Sequence, residues 1–250
     1  MGQQSNVKFD NDFFDIGSYG TSYDESGYYK HTPQMMPWVG EEYDGDGHKK
    51  ILFIGESHYL PDTADKELFT VNGWYEQDEN SLNPDGDEYD WTNTRGIISQ
   101  RDWRSRAHGI YRDIDKAIRE VANVTKPPYL DCDNMFRFVA YYNYFLRPAS
   151  KGASFKNIIQ DKDKEIAKDA VNDIIGLLKP DYIYFLSKFA WETFCKNDLK
   201  HPDISNIIVD YSPNPSSSWR NRKNFKLNNE GELLSGHQKL IAFLKQNEVF

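Results

Sequence analysis

Apolar and polar residues along this chain follow two periods. Ile51 to Ile54 form an unbroken apolar run that Gly55 ends, and Glu56, Ser57, His58 and Tyr59 follow at once. A short continuous apolar run bounded by glycine reads as a strand buried on both faces, as in a parallel sheet. The segment 49–59 is therefore expected to be a strand leading into a loop of reactive side chains. Between Asp102 and Ala122 the period changes, with Ile110, Ile114, Ile118 and Val121 at helical spacing among polar residues. Pro127 and Pro128 close that helix. The aromatic and β-branched content of Phe136–Phe145 predicts a second strand, which Leu146, Arg147 and Pro148 terminate. A helix over Asp163–Leu178 follows, with Ile166, Ala170, Ile174 and Leu177 on one stripe, and Lys179-Pro180 stops it. Further strands are predicted over Asp181–Ser187 and Asn206–Ser212. Helical pieces are expected at Asp65–Phe69 and Phe189–Cys195, and a closing helix over Gly236–Gln246 with Leu240, Ile241 and Leu244 inward.

Strands alternating with helices imply an α/β fold: one three-layer αβα domain over residues 49–250, built on a central four-stranded parallel sheet. Residues 1–48 read as an irregular, mostly packed N-terminal extension in which Pro37, Trp38 and Val39 cover an edge of the core. Asp44, Asp46 and their glycines read as a turn, because no glutamate falls where a calcium loop needs one. Glu76 to Asp90 carries seven acidic residues and no basic one, as a surface loop or lid would.

Composition narrows this picture. With 250 residues, 38% hydrophobic, 16 Tyr and 15 Phe, a sizeable core is available. No stretch approaches the roughly 20 apolar residues of a membrane span. MGQQSNVKFD lacks the apolar core of a signal peptide, although MGQQSN fits the loose N-myristoylation pattern. A cytoplasmic monomer is expected. Cys132 and Cys195, the two cysteines, are far apart and in no metal-ligand spacing, so no metal, cofactor or iron–sulfur cluster is expected. A formal charge of −9 argues against a general nucleic-acid coat protein. It leaves room for a local basic groove, since affinity depends on the phosphates contacted. Arg95, Arg101, Arg104, Arg106, His108 and Arg112 cluster near the first long helix, either as a solvated, salt-bridged face or as a grip on DNA.

Three polar clusters share the carboxyl ends of predicted strands: Glu56 to Tyr59, Asn143 with Arg147, and Asn214 to Arg222. Ligands bind beyond such strand ends, so a pocket there is the leading expectation. In their order, GESHY (Gly55–Tyr59), the asparagine of YYNYFLRP (Asn143), the strand DYIYFLS after LLKP, and NPSSS (Asn214–Ser218) resemble the uracil-DNA glycosylase superfamily over residues 49–246. NPSSSWR is most similar to the mismatch-specific thymine and uracil branch. GES is similar to the glutamate-bearing motif of the iron–sulfur branch, whose cluster two cysteines cannot hold.

The resemblance implies that a base is flipped from DNA, read on its edge, and cut at its N-glycosidic bond. It implies that Asn143, offering donor and acceptor together, reads the base. Asn214 would stand against the leaving base, Tyr59 would wall the pocket, and Gly55, Pro215, Ser216, Ser217 and Ser218 would complete it. Trp219, Arg220, Arg222 and Lys223 would hold the strand by stacking and phosphate contact. Ser57 replaces the water-activating acid or amide of the family, and His58 replaces the following proline. Serine carries no negative charge at neutral pH. Catalysis would therefore fall to Glu56, or to His58 acting as a base near pH 7.

Two other readings compete. A non-catalytic protein of the same fold would keep the pocket for a nucleobase, nucleotide or nucleic-acid ligand. A serine esterase of the G-D-S type would use Ser57 as nucleophile with His237, although no aspartate stands three residues before it. Each site residue also has an ordinary structural role open to it: Glu56 as an acceptor for backbone N–H groups, His58 as a packed imidazole, Asn143 as a cap, and NPSSS as a turn and helix cap.

Overall fold

Ile51, Leu52, Phe53 and Ile54 are all fully buried. Successive side chains of a strand point to opposite faces. Leu52 and Ile54 enter one apolar cluster while Ile51 and Phe53 enter another, which is why the run shows no alternation. The computed structural model describes residues 7–17, 19, 27–76, 86–100, 103, 108–122, 128–130, 132–151, 153–197, 204–213, 225–226 and 233–250.

Strands β1 (Trp38–Val39), β2 (Ile51–Leu60), β3 (Ala140–Ser150), β4 (Tyr182–Phe185) and β5 (Ile208–Tyr211) form one sheet in the order β1-β3-β2-β4-β5. β2 to β5 run parallel, and β1 joins antiparallel through Trp38↔Tyr141 and Val39↔Ala140. The sheet is thus mixed and five-stranded, where four parallel strands are expected from the sequence. The added strand is too short to carry a periodicity. A small antiparallel pair, β6 (Phe225–Lys226) and β7 (Leu233–Leu234), stands apart from it.

The helices are α1 (Asp10–Asp15), α2 (Tyr28–His31), α3 (Val71–Tyr75), α4 (Asp87–Thr92), α5 (Thr94–Gln100), α6 (Gly109–Val121), α7 (Asp161–Leu178), α8 (Lys188–Asn197) and α9 (Gly236–Gln246). One face of the sheet is covered by α7 through Ile166, Ala170 and Ile174, by α8, and by Phe13, Tyr28 and Tyr29 of the N-terminal helices. The opposite face is covered by α6 through Ile114 and Ile118 and by α9 through Leu240, Ile241 and Leu244. No helix among the described residues is long and apolar enough to cross a membrane.

The second strand differs most from its expectation. Met135–Phe138 winds into a 3-10 turn because the Asn134 side chain accepts from the Phe136 N–H at 3.0 Å. β3 then starts at Ala140 and continues through Pro148. Its register with β2 steps from Ser57↔Phe145 to Tyr59↔Ala149, so two residues of β2 face four of β3. A bulge of this kind frees the proline from the ladder and turns a neighbouring side chain inward. That side chain is Arg147, 1% exposed, which forks onto Asp163 of α7 at 2.9 and 2.6 Å. Asp163 also accepts from Tyr75 Oη and the Gln160 N–H, and Arg147 donates to the carbonyls of Phe69 and Ile158. Arg147 is therefore a buried staple rather than a member of the rim.

Candidate functional site

Taken in chain order, the four parallel strands lie second, first, third, fourth across the sheet. In doubly wound sheets of this order the ligand crevice opens beyond the carboxyl ends of the first and third strands, where the winding reverses. Here those strands are β2 and β4. Glu56 lies in the carboxyl half of β2, and Ser187 lies two residues past the end of β4.

Ser187 Oγ donates to Glu56 Oε2, and the Phe155 backbone N–H also donates to the carboxylate. The same serine oxygen accepts from the Ala190 N–H at 3.2 Å, tying it to the first turn of α8. Burial raises the Glu56 carboxyl above its ordinary range, against the lowering effect of those two bonds. No basic group is among the described residues acting on it. Tyr59 lies close by, its phenol pushed up to about 12 by burial and by the Glu56 charge.

Gly55 to Tyr59 belong to β2 itself and not to a loop. Strand alternation therefore divides the motif. Glu56 meets Ser187 and Phe155 on the α7–α8 face, whereas Gly55 pairs with Asn143 and faces Tyr141 on the other. A Cβ on Gly55 would lie 2.2 Å from Asn143 Oδ1 and 2.3 Å from Tyr141 Oη. Glycine is required by this close approach.

Asn143 is 5% exposed and bonded within the protein. Its Oδ1 accepts from Tyr141 Oη at 3.0 Å, and its Nδ2 donates to His58 Nε2 at 3.1 Å. His58 Nε2 lies 2.8 Å from Thr94 Oγ1, and Tyr111 bonds to both Thr94 and Tyr141. The five side chains close a ring. Because Asn143 donates to Nε2, the imidazole proton resides on Nδ1, which has no partner among the described residues. Burial lowers the His58 pKa to about 3, so the ring is neutral where a base working near pH 7 is expected from the sequence. Ser57, 6% exposed, has no hydrogen-bond partner for Oγ among the described residues.

No protein-family model matches the chain, and neither does any curated protein.

On the Asn143 side of the sheet, a shallow crevice lies between α6, α9 and the ends of β4 and β5, lined by Asp113, Leu186, Ser212, Pro213 and His237. His237 Nε2 stands 4.0 Å from Glu120 Oε2. The esterase reading thus finds no histidine bonded to Ser57 among the described residues. Asn214, Pro215, Ser216, Ser217, Ser218, Trp219, Arg220, Arg222 and Lys223 lie outside the described residues, as do Arg101, Arg104 and Arg106. Of the basic cluster, Arg95 pairs with Asp10 at 2.7 Å and donates to the Pro37 carbonyl, while Arg112 donates to that of Trp103. Both anchor the chain to itself.

Ser187, the Phe155 N–H, Thr94, Tyr111 and Tyr141 are the site residues that sequence reasoning misses. Two of them carry a signal: Tyr141 precedes Asn143 by two and so shares its face, and Ser187 ends the strand expected over Asp181–Ser187.

Proposed function

We propose that this chain is a uracil-DNA-glycosylase-like protein whose sheet rim binds a nucleobase, flipped from nucleic acid or carried by a free nucleotide. The order of motifs from Gly55 to Ser218, the reversal of winding between β2 and β4, and the partly exposed carboxylate at that reversal support the reading. Recognition without hydrolysis is the function the geometry supports best, and one observation carries it. His58 and Asn143 are buried, neutral and bonded into a ring beside Ser57, the position at which the family resemblance calls for an activating group. Hydrolysis through that face would need an acid or amide free to hold water there, whereas the Asn143 amide is held by Tyr141 and His58 and Glu56 extends from the other face.

A second reading is hydrolysis of the N-glycosidic bond, in which the Glu56 charge faces the positive charge that develops on the sugar. The carboxylate at the winding reversal, with no basic group among the described residues acting on it, favours this reading.

The test is a panel of labelled oligonucleotides containing uracil, mismatched thymine, hypoxanthine or an alkylated base, presented to the wild type, Glu56→Gln and Asn143→Ala. The expected result is binding without base release. Release that Glu56→Gln abolishes would establish hydrolysis instead. A folded protein that binds neither oligonucleotide nor nucleoside would remove both readings.

A further inference from the structure

We infer, resting on the nucleobase reading above, that Glu56 selects a base edge bearing two adjacent N–H donors, the N1–H and N2–H edge of guanine, over the edges of uracil and thymine. An ionised carboxylate only accepts hydrogen bonds, and offers about four lone-pair positions. Ser187 Oγ and the Phe155 N–H take two of these, and the side chain stays partly exposed at the rim. Both internal donors are neutral, and no described basic side chain balances the charge. A partly desolvated charge lacking a counter-ion favours a ligand that brings donors to it.

The base edges differ in how they meet such a group. Uracil and thymine present one N–H between two carbonyls, whose oxygens would face the carboxylate oxygens across the contact. Guanine presents two parallel N–H bonds, matching the two oxygens as an arginine fork does. The amide suited to a uracil edge is Asn143, and it extends from the opposite face with Oδ1 held by Tyr141 and Nδ2 held by His58. Tyr59, beside the carboxylate, supplies an aromatic surface for the base plane.

Calorimetric titration of the full chain with guanosine, 1-methylguanosine and uridine tests the inference. A hydrogen bond to a charged group is worth about 1.5–3 kcal/mol, roughly ten- to a hundredfold in affinity. Guanosine should bind at least about tenfold more tightly than uridine, and 1-methylguanosine, which lacks N1–H, should lose that advantage. Glu56→Gln should weaken guanosine by a similar factor and should not weaken uridine, because the amide brings the donor that a uracil carbonyl accepts. The methylated ligand keeps the test valid should the variant fail to fold. Equal or tighter binding of uridine, or indifference to N1 methylation, would overturn the guanine edge while leaving a nucleobase site in place. Absence of binding by all three nucleosides and by oligonucleotides would overturn the nucleobase reading with it.

Discussion

Gly55 shows how one residue carries two meanings. In the sequence it marks the end of an apolar run. In the fold it lies inside a ten-residue strand, where Asn143 Oδ1 and Tyr141 Oη occupy the space a side chain would need. Gly55→Ala should therefore cost about 1–3 kcal/mol of stability through overpacking. Thermal unfolding is the check, and an unchanged Tm would mean that the ring of hydrogen bonds does not press on the glycine. Asn143 is legible as a polar residue at a strand end, but its direction is not. Its partner His58 is 85 positions away, and both belong to a network whose geometry depends on the β2–β3 register.

At the level of elements, the helices with a long apolar stripe are the best-read ones, because a stripe is local; α1 to α5 are too short to carry one and are not legible, and α6 starts at Gly109 instead of Asp102. α9 spans Gly236–Gln246 as expected, and α7 starts at Asp161 instead of Asp163. The bulge in β3 was not legible, since proline there reads as an end until a partner strand supplies the register shift. Its consequence is the buried fork between Arg147 and Asp163, 1% and 0% exposed, which joins β3 to the first turn of α7. Arg147→Met leaves Asp163 buried without its counter-ion and should cost about 3–5 kcal/mol. Arg147→Lys should also destabilise, because an ammonium cannot fork. Urea denaturation measures both, and a loss below about 1 kcal/mol for Arg147→Met would place the pair among surface-like contacts.

For the molecule as a whole, acid stability follows from His58. Its pKa is about 3 in the folded protein against an ordinary value of 6.5, so between these values the unfolded chain takes up a proton that the folded chain refuses. The contribution is complete above 6.5 and is lost as pH falls towards 3, at up to about 1.4 kcal/mol per pH unit. Glu56, raised by burial, acts in the opposite sense: its contribution is complete below its unfolded pKa and is lost as pH rises through its folded one. His58→Gln should flatten the fall in unfolding free energy between pH 6.5 and 4, and an unchanged slope would show that the imidazole titrates normally. By itself the sequence determined the α/β class, because 3.6-residue stripes and short apolar runs are properties of neighbouring residues. It also associated the reactive groups with the first strong strand, which in the fold contains them. Only the tertiary structure decided which of them meet: Glu56 goes to Ser187 on one face, while the register shift between Ser57 and Tyr59 breaks the alternation and lets His58 close on Asn143 at the other. Side-chain direction and strand register arise from pairings between distant segments, and no local pattern encodes them.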